Sequence, residues 1–356
     1  MKKCKGKFLA STSLLMAIVM PLLAQNEGRS FSGFIDASYN YNFSKGTTNT
    51  LRSYDARANQ INLNNAHFAV SGTPSKKLAY TAEADFGSDA AVHGLLNQPG
   101  GSAPIGVDLQ EAYLTYSFSD KVSFTGGKFV TFEGIELIEG PSNPTVSRGY
   151  LYGLAEPFCH VGGYVTLLPS SHVDFKIGVV NGWDLLVDNN RDKTIISRVG
   201  VNLGDPLSFG ISYLLGVEQV NSNNWRHSLD LTGVTKVFTG VAVNFQANYG
   251  TESFSQAQGG TSSTKWFGFG IQPVLSLCES LDLGCRIEYF ADDQGARTGI
   301  PDLNAINVTL TPALKLEGAT FRLEYRFDNS NKEVFVKDLG LAKNSNTVSF
   351  EIYCNL

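Results

Sequence analysis

Beyond its first 24 residues, this sequence of 356 residues has no apolar run long enough to cross a bilayer as a helix. Such a helix needs about 20 consecutive apolar residues, so a helical membrane protein is excluded. Charged side chains are also scarce, at 17% of the chain. The lack of a second apolar run would by itself suggest a soluble periplasmic protein. However, the 36 Gly, 23 Phe and 14 Tyr are typical of β-strands with turns and aromatic bands.

The first residues carry the marks of a signal peptide. Four lysines precede an apolar stretch that ends at Ala24, and polar residues follow from Gln25. Ser11 to Ser13 and Pro21 interrupt that stretch too early for a transmembrane anchor. We therefore predict a signal peptide over residues 1–24 and an outer-membrane β-barrel over residues 25–356. Export would leave 24 basic against 33 acidic residues, a formal net charge of −9 instead of −5, so nucleic acid is not an expected partner.

Polar and apolar residues alternate throughout the exported part. From Phe31 to Phe43 every second residue is apolar or small, and the same pattern returns over residues 241–249 and 321–328. This period places one set of side chains on each face of a strand. Charged residues belong to one of the two sets, and because they cannot face lipid they must face water.

The pattern predicts an all-β fold, a transmembrane antiparallel β-barrel of about 16 strands. The predicted strands are 31–43, 60–72, 77–87, 107–119, 121–130, 158–168, 171–181, 193–204, 207–217, 226–236, 239–250, 264–277, 281–291, 303–316, 319–329 and 346–356.

The connections between these strands alternate in length. Tight turns, such as Ser119-Asp120 and Glu317-Gly318, alternate with longer connections that are often rich in Asn, Gly and Ser. Outer-membrane barrels have short periplasmic turns and long external loops, whereas a β-sandwich has no reason to sort its loops in this way. The alternation therefore favours a barrel with both termini on the periplasmic side. Trp183, Trp225 and Trp266 all fall at strand ends on the external side, which predicts an aromatic girdle there.

The longest connection, residues 131–157, is the third external loop. Its glutamates recur every third residue, which predicts one or two helical turns before Pro141 and Pro144. A long third loop in a sixteen-stranded barrel is similar to the constriction loop of general porins, which folds inward and narrows the pore. The alternative is a solvated helix outside the lumen. The candidate constriction residues are Glu133, Glu136, Glu139 and Arg148.

Charged residues of both signs are expected on the inner wall. Arg198, Arg286, Arg322 and Arg326 are the candidate lumen-wall residues. Three of them, Arg286, Arg322 and Arg326, would form a basic wall opposite the acidic loop, and a transverse field of that kind orients dipolar solutes. Alternatively, lumen charges pair with one another and only keep the interior wet. The excess of acid favours a preference for cations. The other expected lumen residues are Asp36, Glu83, Asp85, Asp174, Lys176, Asp230, Asp282, Glu288, Lys315 and Glu324.

Four cysteines remain after export, in a compartment that permits disulfides: Cys159, Cys278, Cys285 and Cys354. The chain is too long and their spacing too irregular to indicate a disulfide framework. Cys285 and Cys354 fall on the apolar face of their strands, where a thiol behaves as a small hydrophobe. Thiols are favoured, with a structural bridge as the alternative.

The stretch from Gln110 to Val165 contains EAYLTYSF, GGKFVTFEG, SNPTVSRGYLYG and PFCHVGGYV. It resembles the OmpL-like putative β-barrel porin family of bacterial outer membranes. The resemblance implies an integral outer-membrane barrel with pore activity and brings no catalytic residue. The last strand is similar to the signal that the barrel insertion machinery recognises, although this chain ends in Leu356 where Phe is usual.

Enzymatic motifs are missing. The sequence has no Gly-x-Ser-x-Gly elbow, no His-Glu-x-x-His pair and no complete phosphate loop. We therefore predict a non-enzymatic porin, without cofactor or metal, that lets ions and small polar solutes diffuse passively through a water-filled barrel. Its expected partners are outer-membrane lipid, the insertion machinery and, by analogy with general porins, two further copies in a homotrimer. A surface adhesin with a plugged lumen is the first alternative, and an outer-membrane hydrolase is the second.

Overall fold

The computed structural model describes residues 29–94, 106–255 and 261–356. The predicted signal peptide, residues 1–24, lies outside the described residues. Sixteen antiparallel strands form one closed barrel. They are β1 (Arg29–Asn42), β2 (Gln60–Ser75), β3 (Leu78–Gly87), β4 (Gly106–Ser119), β5 (Val122–Val130), β6 (Cys159–Ser170), β7 (Val173–Val180), β8 (Thr194–Asn202), β9 (Leu207–Val217), β10 (Trp225–Phe238), β11 (Val241–Ser255), β12 (Thr261–Cys278), β13 (Leu281–Asp292), β14 (Leu303–Leu316), β15 (Ala319–Ser330) and β18 (Asn344–Asn355).

The predicted fold class and strand number are confirmed. Each strand pairs with its neighbour in the sequence, and β18 closes the barrel between β15 and β1, with Ile35 opposite Cys354. Closure leaves no free sheet edge, which a barrel in lipid requires. Among the described residues, no helix is long and apolar enough to cross a membrane.

The connections sort by length as predicted. Seven connections at one end of the barrel contain two to four residues each, and the connections at the other end are longer. We number the long external loops L1 (43–59), L2 (88–105), L3 (131–158), L4 (181–193), L5 (218–224), L6 (256–260), L7 (293–302) and L8 (331–343). L2 contains the short helix α1 (Ala90–His93), and L8 contains the hairpin β16 (Phe335–Lys337) and β17 (Gly340–Ala342).

Alternation along the strands separates a lipid-facing surface from an inner wall. On β12 the rings of Phe267 and Phe269 are exposed on the outside, whereas Trp266 and Gln272 are buried inside. This follows from the period of two in a strand.

The predicted girdle of three tryptophans is wrong for two of them. Trp225 is 48% exposed on the outer surface, but Trp183 is only 9% exposed and Trp266 is fully buried inside the barrel. Trp266 lies two residues before Gly268, which faces inward. Residues two apart on a strand face the same side, so the ring of Trp266 points to the lumen. There the rings of Trp183 and Trp266 meet edge to face, with their centroids 6.2 Å apart.

These two tryptophans belong to an apolar cluster inside the external half of the barrel. L3 supplies part of it, and the inner wall supplies the rest. The buried members are Phe129, Tyr150, Leu151, Ala155, Val180, Trp183, Ile196, Leu214, Trp266, Phe290 and Ala305. Apolar burial of this size stabilises the position of L3, because each large side chain contributes about 1.5–3 kcal/mol when it leaves water.

The thiols are arranged as the sequence predicts. Cys159 is buried. Cys159, Cys285 and Cys354 are thiols in the structure.

Candidate functional site

L3 leaves β5 and runs inside the barrel along the opposite wall. At its start, the Ser212 hydroxyl of β9 donates to the Phe132 carbonyl at 2.7 Å, and the Gly134 N–H donates to Asp230 of β10 at 3.0 Å. Further along, L3 contacts β12, β13 and β15. The loop therefore occupies the lumen.

Two carboxylates of the wall accept hydrogen bonds from the L3 main chain. Glu324 of β15 accepts from the N–H groups of Val146 and Ser147, at 2.6 and 3.1 Å. Glu288 of β13 accepts from those of Tyr150 and Leu151, at 2.5 and 2.8 Å. Buried N–H groups need such partners, because an unsatisfied one costs about 1–3 kcal/mol. These acids thus fix the return half of the loop.

Arginines of the same wall bind the carbonyl groups of L3. Arg322 donates to the carbonyls of Asn143 and Gly140, at 2.7 and 3.1 Å, and Arg326 donates to the Arg148 carbonyl at 2.6 Å. Arg286 forms a salt bridge with Glu136. The predicted basic wall exists, and it lies in contact with L3. Arg286 pairs with Glu136 of the loop, whereas Arg322 pairs with Glu351 of β18 and Arg326 with Asp328 of its own strand.

Arg198, the fourth candidate of the lumen wall, lies elsewhere. It belongs to β8 and pairs with Asp174 of β7 at 3.4 Å. The structure therefore does not bring it together with the three arginines that hold L3.

The predicted helix over the three L3 glutamates is also wrong. Gly134 adopts a φ of +89°, which only glycine takes readily, and the chain from Thr131 to Glu139 is extended and bent. The glutamates consequently face different parts of the wall: Glu133 accepts from Ser228 of β10 at 2.8 Å, Glu136 from Gln272 of β12 at 2.9 Å, and Glu139 from Gln110 of β4. Glu133 and Glu136 are buried, so the alternative of a solvated helix outside the lumen is wrong too.

Arg148 joins two parts of L3 by hydrogen bonds. Its guanidinium donates to the carbonyls of Leu137, Ile138 and Val146, at 2.7 to 3.0 Å. The same group lies over the ring of Tyr54 in L1, 5.1 Å from the centroid. L1 and L3 are therefore held together at this point.

Three carboxyl groups meet on the β10–β11 side of L3. Gln246 donates both to Glu156 of L3 and to Asp230 of β10, at 2.5 and 2.8 Å, and Glu133 lies beside them. Burial, and then the neighbouring Asp230, raises the pKa of both Glu133 and Glu156 well above their usual range. Burial thus disfavours the ionised form of both carboxyls.

Two histidines that the sequence analysis did not predict to be neighbours lie on the other side of L3. Asp85 of β3 accepts hydrogen bonds from His67 of β2 at 2.7 Å and from His93 of α1 at 2.9 Å. Tyr54 then bonds His93 at 3.2 Å. Helix α1 is what brings His93 into reach, and its four residues are too short to be seen as a helical period.

The space that remains lies between L3 and the wall opposite its anchors. Beside L3 the inward Arg286, Arg322 and Glu324 of β13 and β15 are buried, whereas Glu83, Tyr113 and Lys176 of β3, β4 and β7 are only half-buried. One small cavity, with room for about 20 Å³, lies between L1, L2, L3 and β1.

Residues 28–356 match the family described as "Putative beta-barrel porin-2, OmpL-like". The chain belongs to this family. The resemblance seen in the sequence is thereby confirmed, and it extends over the whole barrel. The protein is accordingly an outer-membrane porin. No curated protein shows significant sequence similarity to the chain.

Solved structures share the fold at low sequence identity. An outer-membrane channel of Acinetobacter baumannii, DcaP, superposes with a TM-score of 0.65 at 10% identity, over 92% of this chain and 97% of that one. An anion-selective porin from Comamonas acidovorans gives 0.64 at 11%, over 92% and 99%. OmpT of Vibrio cholerae, folded in vitro and described in its trimer form, gives 0.61 at 15%, over 92% and 99%. Identities this low show the fold alone.

Proposed function

We propose that ions and small polar solutes diffuse through the space between L3 and the β1–β8 wall. The asymmetry of L3 carries this proposal: most of its hydrogen bonds to the wall go to β9–β15, and on the opposite side, where Glu139 reaches Gln110 of β4, half-buried polar groups line the wall. A loop fixed to one wall narrows a barrel without sealing it. The bottleneck is then set by geometry and charge.

Four charged groups would set the selectivity of this path. Glu139 is the one half-buried acid of the three L3 candidates, and Glu83, Glu111 and Lys176 face the same space from β3, β4 and β7. Because three of these four groups are acids and one is a base, we expect the path to prefer cations over anions. Glu133 and Glu136, by contrast, serve to anchor L3.

A closed barrel whose external loops bind a partner is the competing function. It is favoured by the burial of so many inward side chains along β10–β15 and by the small volume of the cavities, about 20 and 10 Å³. A barrel of sixteen strands without an inward loop would leave a wide aqueous channel. The two functions differ in whether the resting protein conducts.

Single-channel recording in planar bilayers tests the proposal, with mature protein refolded in detergent. We expect discrete, small, salt-dependent current steps, and a loss of cation preference when Glu139 is changed to Gln. Glu317→Gln is the matched control, because Glu317 is exposed on the β14–β15 turn at the periplasmic end. A folded, heat-modifiable barrel that gives no steps at any voltage would overturn the diffusion path and leave the closed barrel.

We further propose that the protein has no enzymatic activity and assembles as a trimer. None of the described contacts joins a histidine to both a carboxylate and a serine, so the hydrolase constellation is not formed within residues 29–94, 106–255 and 261–356. The trimer rests on the similarity to OmpT of Vibrio cholerae. Native mass spectrometry of the detergent complex measures the stoichiometry directly, and a monomer there would contradict it.

A further inference from the structure

Two basic side chains lie together on the lipid-facing surface, at the external end of the barrel. Lys265 of β12 belongs to the same outward set as Phe267, and His227 of β10 belongs to the same set as Leu229. Both side chains are exposed. In the external half of the described strands, no other Lys, Arg or His faces outward. The basic groups of this surface are therefore concentrated at one place.

A hydroxyl group lies between these two residues. The strand register places Thr251 of β11 opposite His227 on one side and opposite Lys265 on the other. Neighbouring strands are about 4.8 Å apart, so the two basic side chains start from strands on either side of Thr251 at the same height. We call His227, Thr251 and Lys265 the rim row.

The rim row lies at the level where acyl chains meet headgroups. Trp225, which is 48% exposed, is the next outward residue on the external side of His227. Tyr249 and Phe267, also exposed, are the next outward residues toward the membrane centre on β11 and β12. Aromatic rings of this kind mark the membrane interface. A lysine on the lipid-facing surface costs little at this depth, whereas the midplane strongly disfavours it.

Tyr213 of β9 holds the imidazole ring of His227. Its hydroxyl oxygen lies 2.7 Å from Nδ1. When this hydroxyl donates to Nδ1, the proton of the neutral ring is on Nε2. Among the described contacts Nε2 has no partner, so the row gains an N–H donor in addition to the ammonium and the hydroxyl.

The Lys265 ammonium is not neutralised by an acid. Glu252, which follows Thr251 on β11, faces inward and pairs with Arg226. The lysines in the salt bridges of the described residues are Lys128, Lys193, Lys236 and Lys315. Lys265 therefore adds an uncompensated positive charge to the row.

We propose that the rim row binds the phosphate group of a lipid headgroup in the external leaflet. The oxygens of a phosphate can accept from all three donors, and such charge-assisted hydrogen bonds are stronger than neutral ones. The acyl chains of the same lipid would pack on Leu229 and Phe267, which are exposed below the row. A free phosphate ion has no such apolar contact, so the position favours a lipid. This inference does not depend on conduction through the barrel.

Native mass spectrometry of the protein folded in dodecyl maltoside tests the site. The probe is phosphatidic acid, and its control is phosphatidylcholine with the same acyl chains, in which choline compensates the phosphate charge. We expect the wild type to bind phosphatidic acid more tightly. Lys265→Gln should raise its dissociation constant roughly tenfold, and Thr251→Val, which leaves the charge unchanged, should raise it roughly threefold. Lys337→Gln, in the exposed hairpin of L8, removes the same charge elsewhere and should bind as wild type.

The remaining outcomes overturn the site. Equal binding of phosphatidic acid by wild type and Lys265→Gln does so directly. A loss in Lys265→Gln that Thr251→Val does not share would show attraction by an isolated charge instead of a row of donors. Inorganic phosphate at millimolar concentration should leave the lipid bound, and displacement would indicate a site for the free ion. Heat-modifiable migration shows that each variant is folded before it is compared.

Discussion

Arg286 of β13 and Glu136 of L3 form a salt bridge inside the barrel, with Nη1 and Oε1 2.7 Å apart and their side chains only 1% and 3% exposed. Arg286 also donates to the Ser147 carbonyl at 2.5 Å, so it touches both the outgoing and the returning half of L3. One wall residue thus closes the loop on itself.

Changing Arg286 to Leu should release L3. Removing one partner of a buried ion pair costs about 3–5 kcal/mol, because the other charge stays buried alone. We expect trypsin to cut the variant at Arg148, which is buried in the folded protein, and the fragments can be sized by mass spectrometry.

Two further variants control this experiment. The double change Arg286→Leu/Glu136→Leu should restore much of the protection, since no charge is then left unpaired. Lys315→Gln should leave Arg148 uncut, because the Lys315–Asp282 pair lies at the periplasmic end and is partly exposed. Cleavage of wild type and Arg286→Leu at equal rates would show that the salt bridge does not hold the loop.

The three L3 glutamates should differ in their effect on ion selectivity. Glu139→Gln should shift the reversal potential in a potassium chloride gradient toward that of a less cation-selective channel. Glu133→Gln should leave it unchanged, because the Glu133 side chain is buried against Ser228 of β10, away from the proposed path. Equal shifts for the two variants would place Glu133 in the path, against its burial.

Cation preference should rise with pH through Asp89. Burial raises the pKa of Asp89 to about 7, opposed by Arg148 and His93. A carboxyl with a pKa of about 7 is mostly neutral at about pH 5.5 and mostly ionised at about pH 8.5, so the cavity between L1, L2, L3 and β1 becomes more negative as the pH rises. The charged and titratable groups that face Asp89 are Arg148, His93, Asp85, Asp36 and Tyr54.

Reversal potentials of wild type and Asp89→Asn, measured at those two pH values, isolate this contribution. We expect the variant to keep the lower cation preference of the wild type at acid pH and to lose part of the increase on raising the pH. Asp120→Asn should behave as wild type. An increase of the same size in Asp89→Asn would assign the titration to another group.

Trp266 should matter far more for stability than Trp225. Trp266 is fully buried and donates to Asn248 at 3.1 Å and to the L3 carbonyl of Ala155 at 3.3 Å. Its change to Ala should lower the free energy of unfolding by about 3–5 kcal/mol, as for other buried aromatic residues. Trp225→Ala removes a half-exposed ring and should cost clearly less. Urea unfolding in micelles, followed by the tyrosine and remaining tryptophan fluorescence, measures both.

The barrel itself could be predicted because its physics is local. A period of two and connections that alternate in length are visible in the sequence, and lipid on one side forces every strand to obey them. The inward position of Trp266 could also have been predicted, since Phe267 and Phe269 belong to the alternate residues of β12 that face lipid.

The course of L3 could not be predicted in the same way. The spacing of its glutamates suggested a helix, but their hydrogen bonds go to strands up to 150 residues away in the sequence. Those partners decide the backbone, and Gly134 permits the sharp bend that a helix forbids. The lining of the cavity between L1, L2, L3 and β1 could not be predicted either, because only the closed barrel brings Asp36, Asp89 and Arg148 together.

The wall holds L3 chiefly by its main chain. Glu324 and Glu288 bind peptide N–H groups, and Arg322 and Arg326 bind peptide carbonyls. Every residue type except proline offers the same N–H, and all offer the same carbonyl. Side chains on L3 that point toward the open space are therefore free to change during evolution while the loop keeps its place. Related barrels can acquire new solute preferences by substitutions in this one segment, without rebuilding the scaffold that positions it.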